Sequence, residues 1–226
     1  MTWEWANWIA DALQLSKFAE LGIILFGAYQ FWKGRRERNE ADAEAAARAR
    51  IDSNYQAWQV INSAQGKGGS GGRIEALGDL LRNGVSLNGI RLDDAWLEEV
   101  QLPRARMLRS SLRGTNLTRA NLAGANLEGA DLTDADLLAA DLTGANLRGA
   151  TLAGARLSAA TLEGADLREI VGWRDIRALG HASVVDVRNA PAGFVAFARA
   201  LGAVDAELRA AAEDGSLEYS QHFRAM

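Results

Sequence analysis

The sequence of 226 residues predicts a mainly β fold built around a squared coil, because a five-residue repeat fills its middle third. Every fifth residue from Leu87 to Leu167 is a leucine except Met107, which gives 17 positions in unbroken register. The residue two places before each position is small, and it is Ala at 12 of the 17. A period of five fits neither an α-helix nor a β-strand, since a helix would distribute these leucines around its whole circumference. In a squared coil each pentapeptide forms one side and points its leucine and its small residue inward.

Individual units of this repeat resemble a known family. The stretches Ala-Asn-Leu-Ala-Gly at 120–124 and Ala-Asp-Leu-Thr-Gly at 140–144 resemble the A(D/N)LxX unit of pentapeptide-repeat proteins, and the resemblance covers residues 85–169. It implies that family's fold, a right-handed quadrilateral β-helix with four units per coil, and therefore about four coils here. Residues 62–80 and 168–204 resemble, more loosely, segments of membrane-linked bacterial members of the family.

Residues 1–36 are predicted to form a membrane-attached helix. Residues 18–32 are apolar apart from Glu20, Tyr29 and Gln30, with tryptophans before and at the end of the run. A helix from Trp8 to Trp32 would span about 36 Å, compared with about 30 Å for the hydrocarbon core of a bilayer. The residues assigned to membrane or helix contact are Trp3, Trp5, Trp8, Lys17, Phe18, Glu20, Leu21, Ile23, Ile24, Leu25, Phe26 and Trp32. The basic residues assigned to setting the topology, with the repeat on the cytoplasmic side, are Lys33, Arg35, Arg36 and Arg38.

Three arrangements of this helix stay open, because polar residues interrupt it. Asp11, Gln14, Lys17 and Glu20 fall within the span, and the uninterrupted apolar run, residues 21–28, is too short to cross a bilayer. The helix could span with Lys17 and Glu20 paired, lie in the membrane interface, or be a soluble amphipathic helix used for oligomerisation. A cleaved signal peptide is not expected, since no basic residue precedes Lys17.

The repeat is predicted to have a spacer before it and a cap after it. Residues 37–84 are expected to form a helical spacer, a Gly-rich loop at 66–72 and a helix at 74–81 that covers the first coil. The loop has no preceding strand and lacks the Lys-Ser/Thr order of a phosphate-binding loop, so we interpret it as a flexible break. Residues 170–226 are expected to form a cap and tail, with the repeat register lost at Gly172 and helical patterns at 194–201 and 206–212.

One side of the coil differs from the other three. The units containing Leu97, Leu117, Leu137 and Leu157 lack the glycine that recurs two places after the leucine elsewhere. An ordinary mixed surface is the simpler interpretation. If a partner docks on the coil, this is the side where we expect it, and the candidate contact residues are Trp96, Leu138, Ala139, Arg156 and Ala159.

The composition favours a non-enzymatic role. The chain has no cysteine and two histidines, and no set of residues is spaced for catalysis, for a metal or for another cofactor. Its net charge of −4 argues against nucleic-acid binding, and no small-molecule substrate is evident. We predict a membrane-anchored interaction or scaffold module at the cytoplasmic (inner) membrane. Its expected partner is another protein, and it could be an accessory subunit of a membrane protein complex.

The alternative function is a soluble, DNA-mimicking modulator of a DNA topoisomerase. The resemblance suggests it, because the quinolone-resistance members of the family resemble B-DNA in shape and charge. Residues 85–169 hold 12 acidic and 9 basic side chains, a net charge of −3, which is small for a mimic of a nucleic-acid duplex.

Overall fold

The computed structural model describes residues 4–63 and 71–213, and within them it leaves out the side chains of residues 4–7, 9–20 and 211–213. The chain forms two compact units, Met1–Asp52 and Ser53–Met226. The elements are α1 (Glu4–Ser63), α2 (Arg73–Arg82), the repeat coil, a 3₁₀ helix (Trp173–Asp175), α3 (Phe194–Ala200) and α4 (Ala206–Glu213).

Helix α1 is one uninterrupted helix of 60 residues, where the sequence suggested a membrane segment followed by a spacer. Its charged stretch is supported by ion pairs one turn apart, at 2.7 Å between Arg36 and Glu40 and 3.7 Å between Arg48 and Glu44. Near its end, Ala57 and Ile61 are buried in the same apolar core as Leu77 of α2. The C-terminal turns of α1, together with α2, therefore cover the first coil of the repeat.

The predicted membrane-spanning helix, and with it the location at the cytoplasmic membrane, is wrong. Among the described residues, no helix is both long enough and apolar enough to cross a bilayer. The physical reason is that charged residues at 11, 17 and 20 interrupt the sequence before its apolar run, which is far shorter than the about 20 residues that a span needs. The topology assigned from the basic residues at 33–38 depended on that span, whereas the contact roles given to the N-terminal tryptophans stay a prediction.

The repeat forms a β-helix with four pentapeptides per turn. Parallel bridges join residues 20 apart, as in the column that runs from Arg91 through Ser111, Asp131 and Thr151 to Val171. In the described residues each side of the coil makes a single bridge, and strands of two or more residues do not form. The reason is that each five-residue side uses its remaining residues to turn the corner. All 17 inward leucine and methionine side chains are at most 1% exposed, as the period of five predicts.

The Asn and Asp residues of the repeat have a structural role that the sequence analysis missed. At eight corners the side-chain oxygen of the residue before the leucine accepts a hydrogen bond from the backbone N–H two residues on, as Asp136 does from Leu138 at 3.2 Å. This is an Asx turn, which explains why the repeat prefers these two residues. Burial raises the pKa of Asp131, but hydrogen bonds from Thr133 and Arg113 outweigh it and lower that pKa overall.

The coil continues one turn beyond the predicted end at residue 169. Thr151 bridges Val171 at the usual spacing of 20, and the next three columns advance by 22 residues, as in the bridge from Asp166 to Arg188. The two extra residues are taken up after Gly172 by the 3₁₀ helix Trp173–Asp175. At Gly172 the repeat therefore does not end. Its spacing changes from 20 to 22 residues per turn, and the β-helix continues.

The far end of the coil is closed by α3 and α4, close to the helical patterns expected at 194–201 and 206–212. Trp173 packs edge-to-face against Phe194 and Phe197 of α3, with ring centroids 5.9 and 5.3 Å away. Asp205 caps α4 by accepting a hydrogen bond from the Leu208 N–H at 3.0 Å. Burial raises the pKa of Asp205, but this bond and the Arg199 guanidinium outweigh it and lower that pKa overall.

Two hydroxyl groups occupy the small inward position and should affect stability in opposite directions. The Thr115 hydroxyl donates to the Leu92 carbonyl at 2.9 Å, whereas the buried Ser110 hydroxyl has no hydrogen-bond partner among the described residues. We expect Ser110→Ala to raise the free energy of unfolding by about 1 kcal/mol and Thr115→Val to lower it by about the same amount. Denaturant titration of both variants checks this, and a loss of stability in Ser110→Ala would show that its hydroxyl is bonded after all.

Candidate interaction side of the repeat coil

The five residues predicted to meet a partner lie on one side of the coil. Parallel bridges stack Trp96, Asn116, Asp136 and Arg156 in one column, and the residues that follow each of them form the adjoining corner. We call residues 96–99, 116–119, 136–139 and 156–159 the Trp96 side. Leu138, Ala139, Arg156 and Ala159 fall in its two upper coils, and Trp96 lies two coils below Leu138, about 10 Å away at the usual strand spacing.

The corner of the Trp96 side is built without glycine. Its turn residues Glu99, Arg119, Ala139 and Ala159 all have left-handed backbone angles, with φ between 54° and 60°. A residue with a side chain pays roughly 1–2 kcal/mol to adopt this conformation. On each of the other three corners at least two of the coils use glycine at this position. Left-handed residues with a side chain, such as Asp94 and Arg104, also occur on the other corners, so the unbroken row of side chains is what sets this corner apart.

Trp96 is the most prominent side chain of the Trp96 side. It is 61% exposed, and Leu138 is 37% exposed. Trp96 occupies the position where Asn116 and Asp136, in the coils above, accept the Asx-turn hydrogen bond. An indole has no acceptor for that bond. The corner therefore loses one hydrogen bond and gains an exposed aromatic ring.

Every arginine of the Trp96 side is paired with a carboxylate of the same side. Arg119 donates to Glu99 at 2.8 Å and to Glu98 at 2.5 Å, and Arg156 donates to Asp136 at 3.0 Å. The Glu99–Arg119 pair was not predicted, although its spacing of 20 residues could have revealed it. The paired charges divide the apolar surface, because Arg119 lies in the coil between Trp96 and Leu138.

The N-terminal residues singled out in the sequence belong to the other compact unit. Trp3 lies outside the described residues, and Trp5, Lys17, Phe18 and Glu20 lie in α1 with side chains that are not described. The residues of this set that are more than half exposed are Trp8, Leu21, Ile23, Ile24, Leu25, Phe26 and Trp32. The Arg36 guanidinium lies 5.7 Å from the centre of the Trp32 ring, and its hydrogen bond to Glu40 raises the pKa of Arg36.

Other kinds of site find little support in the described part of the chain. Residues 4–63 and 71–213 contain no group of three or more His, Asp or Glu residues placed to hold a metal ion. Most of the Gly-rich loop at 66–72 lies outside the described residues, so the interpretation of that loop stays a prediction.

Comparison with known proteins agrees with the resemblance seen in the repeat. The family model for pentapeptide repeats (8 copies) matches residues 110–149 and, in an overlapping match, residues 135–170. A comparison with curated proteins gives no significant match.

Solved structures similar to this chain include two pentapeptide repeat proteins and a fluoroquinolone resistance protein. A pentapeptide repeat protein, Rfr23, from the cyanobacterium Cyanothece 51142 is 37% identical over 38% of this chain and 63% of its own, with a TM-score of 0.33. A pentapeptide repeat protein of the Arabidopsis thaliana thylakoid lumen is 29% identical over 45% of this chain and 66% of its own, with a TM-score of 0.28. A trypsin-treated variant of QnrB1, a plasmid-mediated fluoroquinolone resistance protein, is 17% identical over 59% of this chain and 71% of its own, with a TM-score of 0.31. The chain therefore spans less than two thirds of the length of the cyanobacterial relative.

Proposed function

We propose that this protein is a non-enzymatic module whose coil binds a protein partner through the Trp96 side. The match of its repeat to the pentapeptide-repeat family model supports the proposal. The observation that carries the proposal is the exposed Trp96 at a corner position where neighbouring coils place Asn or Asp. Replacement of a structurally preferred residue by an exposed aromatic favours a role in recognition, since Trp and Arg are enriched among the residues that dominate binding energy.

The construction of the coil suits such a role. Its backbone is hydrogen-bonded from turn to turn, as in the bond of 2.9 Å from the Asn126 N–H to the Ala105 carbonyl, so the outward side chains keep fixed positions. A partner can bind this side with little ordering cost because the surface is already rigid. The charges of the side are already paired, so we expect binding to depend only weakly on salt concentration.

The charge distribution gives no support to the alternative role as a mimic of duplex DNA. Carboxylates that such a mimic would display are paired with arginines of the neighbouring coil, at 2.9 Å for Asp131 with Arg113 and 3.0 Å for Asp136 with Arg156. A surface that mimics the phosphate backbone needs unpaired negative charge.

The proposal is tested by replacing Trp96 and a matched apolar residue on another side. We expect Trp96→Ala to weaken capture of the partner by at least about thirtyfold, the effect typical of a central aromatic contact. Val171→Ala is the control, because Val171 is 55% exposed and lies in the column of Arg91. The measurement is quantitative affinity capture of native partners by wild-type and variant chains, followed by titration of the purified partner.

A second variant separates recognition from folding. Ala139→Gly combined with Ala159→Gly removes two methyl groups from the corner of the Trp96 side and relieves their left-handed strain, so it should not lower stability. We expect weaker binding in a protein that is at least as stable as the wild type. Equal capture by wild type, Trp96→Ala and this double variant would contradict the assignment of the Trp96 side.

A further inference from the structure

An apolar stripe runs along the N-terminal half of α1. It is formed by residues 21, 24, 25, 28, 31 and 32, which repeat the spacing i, i+3, i+4 through two successive heptads. This spacing places all six on one face of a helix and is typical of helices that pack against another helix. Leu21, Ile24 and Leu25 are nevertheless 52%, 66% and 66% exposed.

The exposed apolar surface is large for a single chain. The five large side chains of the stripe leave on the order of 600 Å² accessible, from their exposed fractions and typical side-chain areas. That is the upper end of the largest patch of a typical monomer, about 300–600 Å², and two such stripes together come to about 1,200 Å², the lower end of stable interfaces. The surface is thus large enough to hold two chains together.

We propose that the stripe is an interface between two copies of this chain, in which α1 of one copy packs against α1 of the other. The heptad spacing suits a helical partner with the same repeat, and the stripe of a second copy provides one. No charged residue lies between positions 21 and 32, so two copies meet there without repulsion. The stripe ends at Arg35 and Arg38, which occupy the next two heptad positions and limit the contact to this segment.

Dimerisation would give the protein two repeat coils and two Trp96 sides. Binding of one side to a partner assembly would then raise the effective concentration of the other, which strengthens attachment without any new contact. The inference does not depend on that function, because it concerns a different unit of the chain.

The test compares two neighbouring isoleucines on opposite sides of α1. Ile24 lies on the stripe, whereas Ile23, which is 73% exposed, lies about 140° from its centre. Sedimentation velocity of the full chain should show a dimer for the wild type and for Ile23→Asp. Ile24→Asp should dissociate at least about tenfold more readily, because it buries two unpaired carboxylates in the interface.

Several outcomes would overturn the inference. A wild-type chain that stays monomeric at tens of micromolar, whether or not it floats with phosphatidylcholine vesicles, would show that a second copy does not cover the stripe. Equal loss of dimer in Ile23→Asp and Ile24→Asp would show that the contact does not use this face. Circular dichroism of both variants confirms that α1 is retained, so that a monomer cannot be attributed to an unfolded helix.

Discussion

Replacing Leu137 by alanine should lower the free energy of unfolding by about 2–5 kcal/mol, while the same change at the next residue should have almost no effect. Leu137 is fully buried inside the third coil, and Leu138 is 37% exposed on its outside. The substitution at Leu137 removes buried surface and leaves a cavity, because the hydrogen-bonded coils on either side cannot close around it.

Leu138→Ala is the matched control, since it removes the same atoms from the outer surface of the coil. We expect it to change stability by less than about 0.5 kcal/mol, the usual range for surface substitutions. Guanidinium titrations followed by circular dichroism give both values. Equal destabilisation by the two changes would mean that residue 137 does not face an apolar interior, and the arrangement of all four sides would then be wrong.

The inward half of the repeat could be predicted from sequence because one physical requirement determines it. A position that must exclude water tolerates few residues, so a leucine or methionine recurs at all 17 positions and its period shows the geometry. The same period places Trp96 and Arg156 in one column, which is why the candidate side could be assembled from sequence.

The outward positions were harder to interpret, because solvent exposure and local hydrogen bonding select the same polar residues. Asn116 and Asp131 point outward, and each accepts a turn N–H, which only the backbone geometry reveals. The turn of coil after Gly172 could be recognised only in part, at residues 182–184, for another reason. Its advance by 22 residues removes the period of five, although the backbone bridges continue.

The N-terminal helix shows how one composition can fit two environments. Tryptophans, an apolar run and a basic cluster predicted a membrane segment, but the run lacks the length to span. An apolar helical stripe that is covered by another helix has the same residues at the same spacing. Sequence alone does not distinguish lipid from protein as the covering material.

The second large effect is expected at Gly172, where the coil leaves its period of 20. Its φ is +67°, and a Cβ added there would lie 2.7 Å from the Cβ of Ala153 and 3.0 Å from that residue's Cα and N. Ala153 belongs to the coil below, whose backbone is fixed by its ladder of hydrogen bonds, so the contact cannot relax cheaply. Gly172→Ala should therefore lower the free energy of unfolding by about 2–5 kcal/mol, from left-handed strain and overpacking together.

Gly149→Ala separates the two causes, because Gly149 has nearly the same φ, +64°, and nothing within 4 Å of an added Cβ. It should cost only the left-handed strain, about 1–2 kcal/mol.

Adding Ala153→Gly to Gly172→Ala removes the shortest contact, so part of the loss should be recovered in a double-mutant cycle. Trp173 follows Gly172 and packs on α3, so the strained turn lies next to the aromatic contacts of the cap. If Gly172→Ala and Gly149→Ala prove equally stable, the turn does not press on the coil beneath it.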